Sequence, residues 1–235
     1  MDSTGFFGKF IISISFLHIT EAVLTSWLII ILLLIFSFIS TRKLCLKPGA
    51  YQTILEGIIT TMQNAIYAVL PQQTKLVFPF IATLWIFILL SNLIGIIPGF
   101  HSPTADISVT AGLALLVFLS VHWFGIRAEG VKNYLRHYLR PSPILLPFHI
   151  ISEISRTLAM AIRLFGNIMS LQLVALIVLM VAGFLIPIPL LILHIVEACI
   201  QTYIFGMLAL IYIAGGIQVQ ELRKIKNSEI KKHAE

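Results

Sequence analysis

Long apolar runs separated by short polar segments fill most of the chain, and each run is a candidate membrane helix. A helix needs about 20 mainly apolar residues to cross the hydrocarbon core of a bilayer. By this criterion we predict spans over residues 22–40, 76–97, 107–124, 148–182 and 190–220. The pattern therefore predicts an all-α membrane protein with five spans, folded as a single integral domain over residues 1–235.

A further helix is predicted over residues 53–70, where apolar and polar positions lie on different sides of the helix axis. An amphipathic helix of this kind lies in the membrane interface and does not cross the bilayer. Its apolar face consists of Ile54, Ile58, Met62, Ile66 and Leu70, and Glu56, Thr60, Gln63, Asn64 and Tyr67 lie elsewhere.

The last two predicted spans form a hairpin of unusually long helices. Residues 148–182 contain no proline, and at about 1.5 Å per residue this helix is roughly 50 Å long. The hydrocarbon layer is only about 30 Å thick. Gly183, Pro187 and Pro189 predict the outer turn between the two helices. We therefore expect both helices to be steeply tilted.

Basic residues indicate how the chain is oriented. Of the 16 Lys and Arg residues, 13 lie in segments that the positive-inside rule assigns to the cytoplasm. The N-terminus is then outside and the C-terminus cytoplasmic. The chain is 58% hydrophobic and only 11% charged, so the net charge of +6 reflects topology. We expect no nucleic-acid partner.

The cysteines and the N-terminal apolar run suggest no additional chemistry. Cys45 follows the first span and Cys199 lies within the last, so we expect two unpaired thiols. The run over residues 10–17 is short and lacks a recognisable small-residue cleavage site. We therefore do not expect a removable signal peptide.

Arg163 is the most informative single residue, because it lies within an apolar stretch. A guanidinium stays charged in proteins, and placing it at the centre of a membrane helix costs roughly 2.5–3.5 kcal/mol on insertion scales. Such a residue either has a function, snorkels to the interface or forms a structural ion pair. Which interpretation applies depends on the polar residues that lie near Arg163.

Polar residues on the last two helices form two stripes, which we expect to face each other. Each stripe follows helical spacing, with Glu153 close to the first and Gln172 pointing away from it. The first stripe contains Arg156, Arg163, Asn167 and Ser170, and the second contains His194, Glu197, Gln201 and Tyr212.

The two stripes favour ion movement, although several members also fit a structural role. His194 and Glu197 lie one turn apart and are suited to relay protons beside a water-filled cavity. Interhelical hydrogen bonding is the favoured interpretation for Ser170, Tyr212 and Asn92. Glu153 and Arg156 fit an ion pair near the cytoplasmic boundary, with a relay role as the alternative.

Enzyme motifs are not recognisable in the sequence. There is no His-Glu-x-x-His, no glycine-rich phosphate loop and no nucleophile paired with a base at a known spacing. We expect no catalytic site, metal or cofactor on this chain. Translocation of an ion fits the polar stripes best.

Several segments resemble subunit a of the F-type ATP synthase, in its bacterial form. The most specific is Ile162-Arg163-Leu164-Phe165-Gly166-Asn167, preceded by Ile151-Ser152-Glu153 and Arg156. The resemblance covers about residues 48–212. It includes Ser91-Asn92-Leu93 with Pro98, Thr104-Ala105-Asp106-Ile107-Ser108-Val109-Thr110, and Gln201-Thr202-Tyr203-Ile204-Phe205.

The resemblance implies a stator subunit that conducts protons or sodium ions through two offset half-channels. Arg163 corresponds to the family's essential arginine, which the carboxylates of a rotor c-ring pass in deprotonated form. It also blocks a direct leak between the half-channels. Asn167, His194 and Gln201 match polar positions on the family's ion path.

The resemblance further implies a place for the chain in a larger assembly. Its partners are the c-ring, the peripheral-stalk subunit b, the rest of the ATP synthase complex and the lipid bilayer. The implied location is the plasma (inner) membrane of a bacterium.

Three positions depart from the family pattern. Gln172 stands where bacterial relatives often have an acidic residue or His, Gly95 where some have Asp, and His149 where many have Glu. We expect Glu197 to replace the missing outer carboxylate. Supporting half-channel positions are Glu153, Gln172, Asp106, Asn92 and His149.

Two other functions are alternatives to ion conduction by a stator subunit. A stand-alone channel or secondary transporter is expected to show inverted repeats or broken helices in both halves, and no such repeat is visible in the sequence. A purely structural anchor would leave Arg163 and the His194 stripe without a purpose. The coupling ion is not determined by this chain, because the ring carboxylate belongs to another subunit.

Overall fold

The computed structural model describes residues 10–14, 17–42, 49–97, 102–130, 146–182 and 187–232. Within these residues the chain forms six α-helices, two 3₁₀ turns and one pair of strands. The helices are α1 (Glu21–Thr41), α2 (Ala50–Val69), α3 (Thr74–Leu93), α4 (Ile107–Glu129), α5 (Leu146–Ala182) and α6 (Pro187–Lys232), the 3₁₀ turns are Ile94–Ile96 and Pro103–Ala105, and the strands are β1 (Phe10–Ile14) and β2 (Leu17–Thr20).

Five of the described helices, all except α2, are long and apolar enough to cross a membrane. The predicted fold class is therefore confirmed. The starts of the first four spans agree with the prediction to within two residues. α4 extends five residues beyond the predicted span, to Glu129, because nothing in residues 125–129 stops a helix before Gly130, which has φ +82°.

The boundaries of α6 differ more from the prediction. Pro187 and Pro189 lie in its first turn and not in a preceding loop, because the first turn has no intrahelical partner for the N–H that proline lacks. At the other end the helix reaches Lys232, beyond the predicted end at residue 220. Residues 221–232 are charged but contain no Gly or Pro, so the apolar run ends there while the helix continues.

Strands β1 and β2 pair antiparallel ahead of α1. The helical pattern does not predict this pair. Residues 10–14 alternate only partly between apolar and polar side chains, but they are rich in Ile and Phe, which favour strands. The register pairs Ile14 with Leu17 and Ser13 with His18.

The amphipathic helix α2 uses only part of its apolar face inside this chain. Ile66 and the following Leu70 are buried, whereas Ile54 and Ile58 are exposed. The C-terminal half of α2 thus packs on the core, and its N-terminal half leaves apolar side chains free for the membrane interface.

Helix α6 is the centre of the fold, since it packs against α3, α4 and α5. α5 in turn packs against α4. The core formed by these contacts includes Val77, Ile81, Leu84 and Ile88 of α3, Val117 of α4, Leu164 of α5, and Phe205, Leu210 and Ile213 of α6. By contrast α1 lies at the periphery and exposes most of its apolar surface, as a lipid-facing helix does.

Helices α3 and α6 approach closely at Gly206. A Cβ atom at this position would lie 1.8 Å from Nε1 of Trp85 and 2.2 Å from its Cδ1. The Trp85 indole stacks on Tyr203, with ring centroids 6.2 Å apart and an interplanar angle of 8°. Only glycine fits at this crossing, so Gly206 sets how near the two helices can lie.

Helix α5 is about as long as predicted, whereas α6 is longer than the predicted span 190–220. α5 has 37 residues and α6 has 46, which correspond to about 55 Å and about 69 Å. α5 is one continuous helix through Gly166. The steep tilt inferred from this excess length stays a prediction. Cys199 is an unpaired and exposed thiol, whereas Cys45 lies outside the described residues.

Candidate functional site

Arg163 lies near the middle of α5, on a side of the helix that is exposed. Among the described residues, no acceptor forms a hydrogen bond or ion pair with its guanidinium. The opposite side of α5 is packed, with Met160, Ala161 and Leu164 buried. Arg163 is therefore not held by a structural ion pair within this part of the chain.

The exposed face around Arg163 is built from small side chains. Together with Arg163, the residues spaced three or four positions apart on this face are Ser155, Ala159, Gly166 and Ser170. A Cβ atom added at Gly166 would contact nothing within 4 Å. Small residues on a membrane helix allow another helix to come close.

Asn167 joins α5 to α6, one turn beyond Arg163. Its Nδ2 donates a hydrogen bond to Oε1 of Gln201 over 2.7 Å. Gln201 is only 2% exposed, and its Nε2 is buried without a hydrogen-bond partner among the described residues. The predicted contact between the two polar stripes is thus present at this pair.

Asn92 of α3 is the hub of a second set of contacts. Its Oδ1 accepts a hydrogen bond from Thr104 over 2.7 Å, and its Nδ2 donates to Oγ1 of Thr202 over 3.5 Å. The backbone oxygen of Asn92 lies 3.3 Å from Nε2 of His194. His194 therefore faces α3, whereas Gln201, on the same stripe, contacts α5.

Ser102 extends this network into the connection between α3 and α4. Its hydroxyl donates to the backbone oxygen of Ser91 over 2.6 Å and lies 2.7 Å from the hydroxyl of Thr104. We call the resulting set of contacts the polar seam. It consists of Asn92, Ser102, Thr104, Asn167, His194, Gln201 and Thr202.

Asp106 lies at the N-terminus of α4, next to the polar seam. Its Oδ1 accepts a hydrogen bond from the backbone N–H of Ser108 over 2.8 Å and so caps the helix. Its Oδ2 is buried and has no hydrogen-bond partner among the described residues. Asp106 therefore has one oxygen that caps the helix and one that has no partner within the described residues.

Three members of the polar seam were not predicted as site residues, namely Ser102, Thr104 and Thr202. A hydroxyl residue is common in membrane helices, where it usually bonds to its own backbone, so its type alone gives little information. The one sequence feature that pointed to Thr202 is its position directly after Gln201. Contacts across the α3–α4 connection have no helical periodicity that would reveal them.

Two of the three departures from the family pattern are neighbours in space. A Cβ atom at Gly95 would lie 2.9 Å from Cβ of Ser102 and 3.3 Å from Nε2 of Gln172. Gln172 thus occupies the space beside Gly95, at the edge of the polar seam. His149 belongs to α5, but its side chain lies outside the described part of the structure.

The remaining candidates are more scattered. Glu197 is half-buried on α6 between His194 and Gln201. No ion pair joins Glu153 to Arg156 among the described residues, and Oε2 of Glu153 lies 3.6 Å from Nε2 of His122. Arg156 instead lies over the Tyr212 ring, 5.5 Å from its centroid. The sequence spacing on one helix did not reveal these partners on α4 and α6.

The importance of Asn92 can be tested by Asn92→Ala. We expect the free energy of unfolding to fall by about 1–3 kcal/mol, because buried partners of Asn92 lose a hydrogen bond. The shift is measured as the thermal midpoint at which the subunit leaves the purified complex. Asn64→Ala, on the exposed side of α2, is the control, and equal midpoints for the two variants would contradict the prediction.

Comparison with known proteins decides the family. The family model described as ATP synthase A chain matches residues 23–214. The chain belongs to the ATP synthase subunit a family.

Individual relatives agree with this assignment along nearly the whole chain. ATP synthase subunit a of Legionella pneumophila (strain Philadelphia 1) is 67% identical over 224 residues, which are 95% of this chain and 97% of the relative. ATP synthase subunit a 2 of Pelobacter propionicus is 57% identical over 213 residues, 91% of this chain and 93% of the relative. ATP synthase subunit a 1 of Crocosphaera subtropica is 40% identical over 213 residues, with coverage of 90% and 92%.

Family membership fixes the role of the chain at a coarse level. It is a membrane-spanning subunit of the membrane sector of an ATP synthase, it takes part in ion transport, and it works in a complex with other subunits. Arg163 and the polar seam lie within the matched residues.

Proposed function

We propose that this subunit conducts ions through two offset half-channels to and from the carboxylates of a rotor c-ring, and so couples ion flow to ATP synthesis. The observation that carries the proposal is the exposed Arg163 guanidinium, which has no partner among the described residues on a membrane helix. A charge in lipid is costly unless something neutralises it. We infer that the neutralising group is a carboxylate on the ring.

The small residues around Arg163 support this arrangement. Gly166 and Ser170 leave a shallow face on α5, against which a helix of the ring can pass closely. An ion pair that forms and breaks as each ring subunit passes keeps the guanidinium neutralised. In this proposal Arg163 also prevents ions from leaking directly between the half-channels.

We assign the outer half-channel to the polar seam. Its hydrogen bonds run from Ser102, in the α3–α4 connection, through Asn92 to Thr202 of α6. Gln201, next to Thr202 in the chain, accepts a hydrogen bond from Asn167, one turn from Arg163. Nε2 of Gln201 and Oδ2 of Asp106, which have no partner in the described part of the chain, are buried polar groups of the kind that water satisfies. A hydrated path along these groups supports ion movement.

We assign roles to the candidate residues within this path. Asn167, His194 and Gln201 line the outer half-channel, and Glu197 supplies a carboxylate beside them. Supporting positions are Asn92, Asp106 and Gln172 on the outer side and Glu153 and His149 on the inner side.

We place the rest of the assembly as follows. The N-terminus is outside and the C-terminus cytoplasmic, in the inner membrane of a bacterium. The stator is completed by the peripheral-stalk subunit b. The long, tilted α5 and α6 lean against the curved ring.

The proposal is tested by ATP-driven ion uptake into inside-out vesicles that contain the whole complex. A potential of 100 mV supplies only about 2.3 kcal/mol per charge, so the synthesis of one ATP needs several ions. We expect uptake of protons, or of sodium ions when sodium is present, which also identifies the coupling ion. Hydrolysis with neither ion taken up would contradict the proposal.

The role of Glu197 is tested with the double variant His194→Ala, Glu197→Gln. We expect ATP-driven uptake to fall by roughly 100-fold, the size of a typical acid–base contribution. Glu56→Gln, on an exposed side of α2, is the control and should leave uptake unchanged. Coupled ATP synthesis at the normal rate in the double variant would exclude this role.

A further inference from the structure

A pair of titratable side chains lies where α4 meets α5, away from the polar seam. Nε2 of His122 is 3.6 Å from Oε2 of Glu153, and the two side chains are 28% and 26% exposed. His122 lies seven residues before the end of α4, and Glu153 lies seven residues after the start of α5. Each group is therefore about 10 Å from its helix end.

The His122 imidazole is oriented by its own helix. Its Nδ1 lies 2.9 Å from the backbone oxygen of Phe118, and the two rings have centroids 4.4 Å apart. With the Nδ1 hydrogen donated to this oxygen, Nε2 carries the lone pair and faces the carboxylate. In this tautomer, the nitrogen that binds a proton points at Glu153.

The spacing of the pair is suited to exchange with water. A separation of 3.6 Å exceeds that of a strong hydrogen bond, and both side chains keep about a quarter of their surface accessible. A fully closed ion pair would hold its proton in place. This pair leaves room for a water molecule to deliver or remove one.

Two arginines among the described residues lie near the pair. Arg156, one turn beyond Glu153 on α5, lies over the ring of Tyr212 on α6. Arg127 is exposed near the end of α4, beyond His122. Glu153 and Arg163 are ten residues apart on one helix, which is about 15 Å along its axis.

We propose that His122 and Glu153 form the proton-exchange site of the inner half-channel, between the surface near Arg163 and the cytoplasm. This inference rests on the proposed function. During ATP synthesis the O–H bond of a ring carboxylic acid breaks, and its proton moves through water to Nε2 of His122 or Oε2 of Glu153. The proton then passes to cytoplasmic water, and the ring carboxylate that remains is free to pair with Arg163.

The site is tested in inside-out vesicles that contain the intact complex, where the cytoplasmic side faces the bath. Glu153→Ala is expected to slow the initial rate of ATP-driven proton uptake by about 10- to 100-fold. Formate added to the bath should restore at least half of the lost rate, since a small acid can carry the proton in place of the missing carboxyl. Formate is included in parallel for the wild type and for Glu56→Ala, an exposed α2 variant that should be unaffected.

The Glu153→Gln variant tests the role of proton exchange without a change in the size of the side chain. Glutamine keeps the size of the side chain and its polarity but does not take up protons, so uptake should fall as in Glu153→Ala. Combining it with His122→Gln should give no further loss beyond the slower single variant. The amount of this subunit in each purified complex shows that the variants assemble.

The outcomes distinguish this inference from the proposed function. Normal uptake in Glu153→Gln, or a loss in assembled Glu153→Ala that formate does not restore, overturns the role of the pair. A wild-type complex that takes up sodium ions and no protons also overturns it, while the ion-conducting function stands. A wild-type complex that takes up neither ion contradicts the proposed function itself.

Discussion

Replacing Arg163 with alanine is expected to abolish ATP-driven ion uptake, with a loss of at least about 100-fold, the size seen when a preorganised charge-stabilising group is removed. Without the guanidinium a ring carboxylate has no cation to pair with as it passes, and it must stay protonated in lipid. Uptake is measured in inside-out vesicles that contain the whole complex. Arg163→Lys should also be impaired, because a compact ammonium does not reproduce the planar, delocalised charge.

Arg156→Ala is the matched control for this experiment. Arg156 lies on the same helix two turns away and is also exposed, but its guanidinium packs on the Tyr212 ring. Its loss should change uptake by no more than about twofold, as for most surface substitutions. Passive ion leakage through Arg163→Ala vesicles should not fall, since the barrier between the half-channels is removed. Coupled uptake that survives in Arg163→Ala would refute the mechanism.

Substituting alanine for Gly206 is expected to separate α3 from α6 and to prevent stable assembly. The new methyl group would overlap the indole of Trp85, which is stacked on Tyr203 and has little freedom to move. Overpacking typically costs about 1–3 kcal/mol and sometimes more, and an overlap this severe should reach at least about 3 kcal/mol. The amount of the subunit in detergent-purified complex measures the effect.

Gly215→Ala provides the matched control on the same helix. A Cβ atom there contacts nothing within 4 Å, so alanine should be neutral or slightly stabilising. A second change, Trp85→Leu in the Gly206→Ala chain, should recover part of the lost assembly because it removes the clashing ring. Equal yields for the two glycine variants would show that the helices do not approach as closely as described.

Helix positions followed closely from the sequence, because each span is a property of one segment. The length of an apolar run must match the bilayer, and this requirement acts on neighbouring residues only. The start of α3, the start of α4 and the full extent of α1 were therefore predicted to within two residues. The end of α6 was not predicted, since a helix can continue beyond the end of its apolar run.

The helical spacing of polar residues also predicted part of the candidate site. Asn167 and Gln201 lie on polar stripes of adjacent helices, and the structure joins them by a hydrogen bond of 2.7 Å. Gln172 was expected to point away from the Arg163 face, and it lies beside Gly95. These are consequences of helical periodicity, which fixes the side of a helix on which each residue lies.

The sequence by itself determined five spans, an amphipathic helix and a charge in the middle of α5, together with the family. Only the tertiary structure decided which side chains meet: His194 faces Asn92, Glu153 faces His122, and Trp85 fills the space that Gly206 leaves open. The reason is that periodicity describes one helix at a time. Contacts between helices depend on their relative rotation, depth and separation, which are set by packing over the whole core.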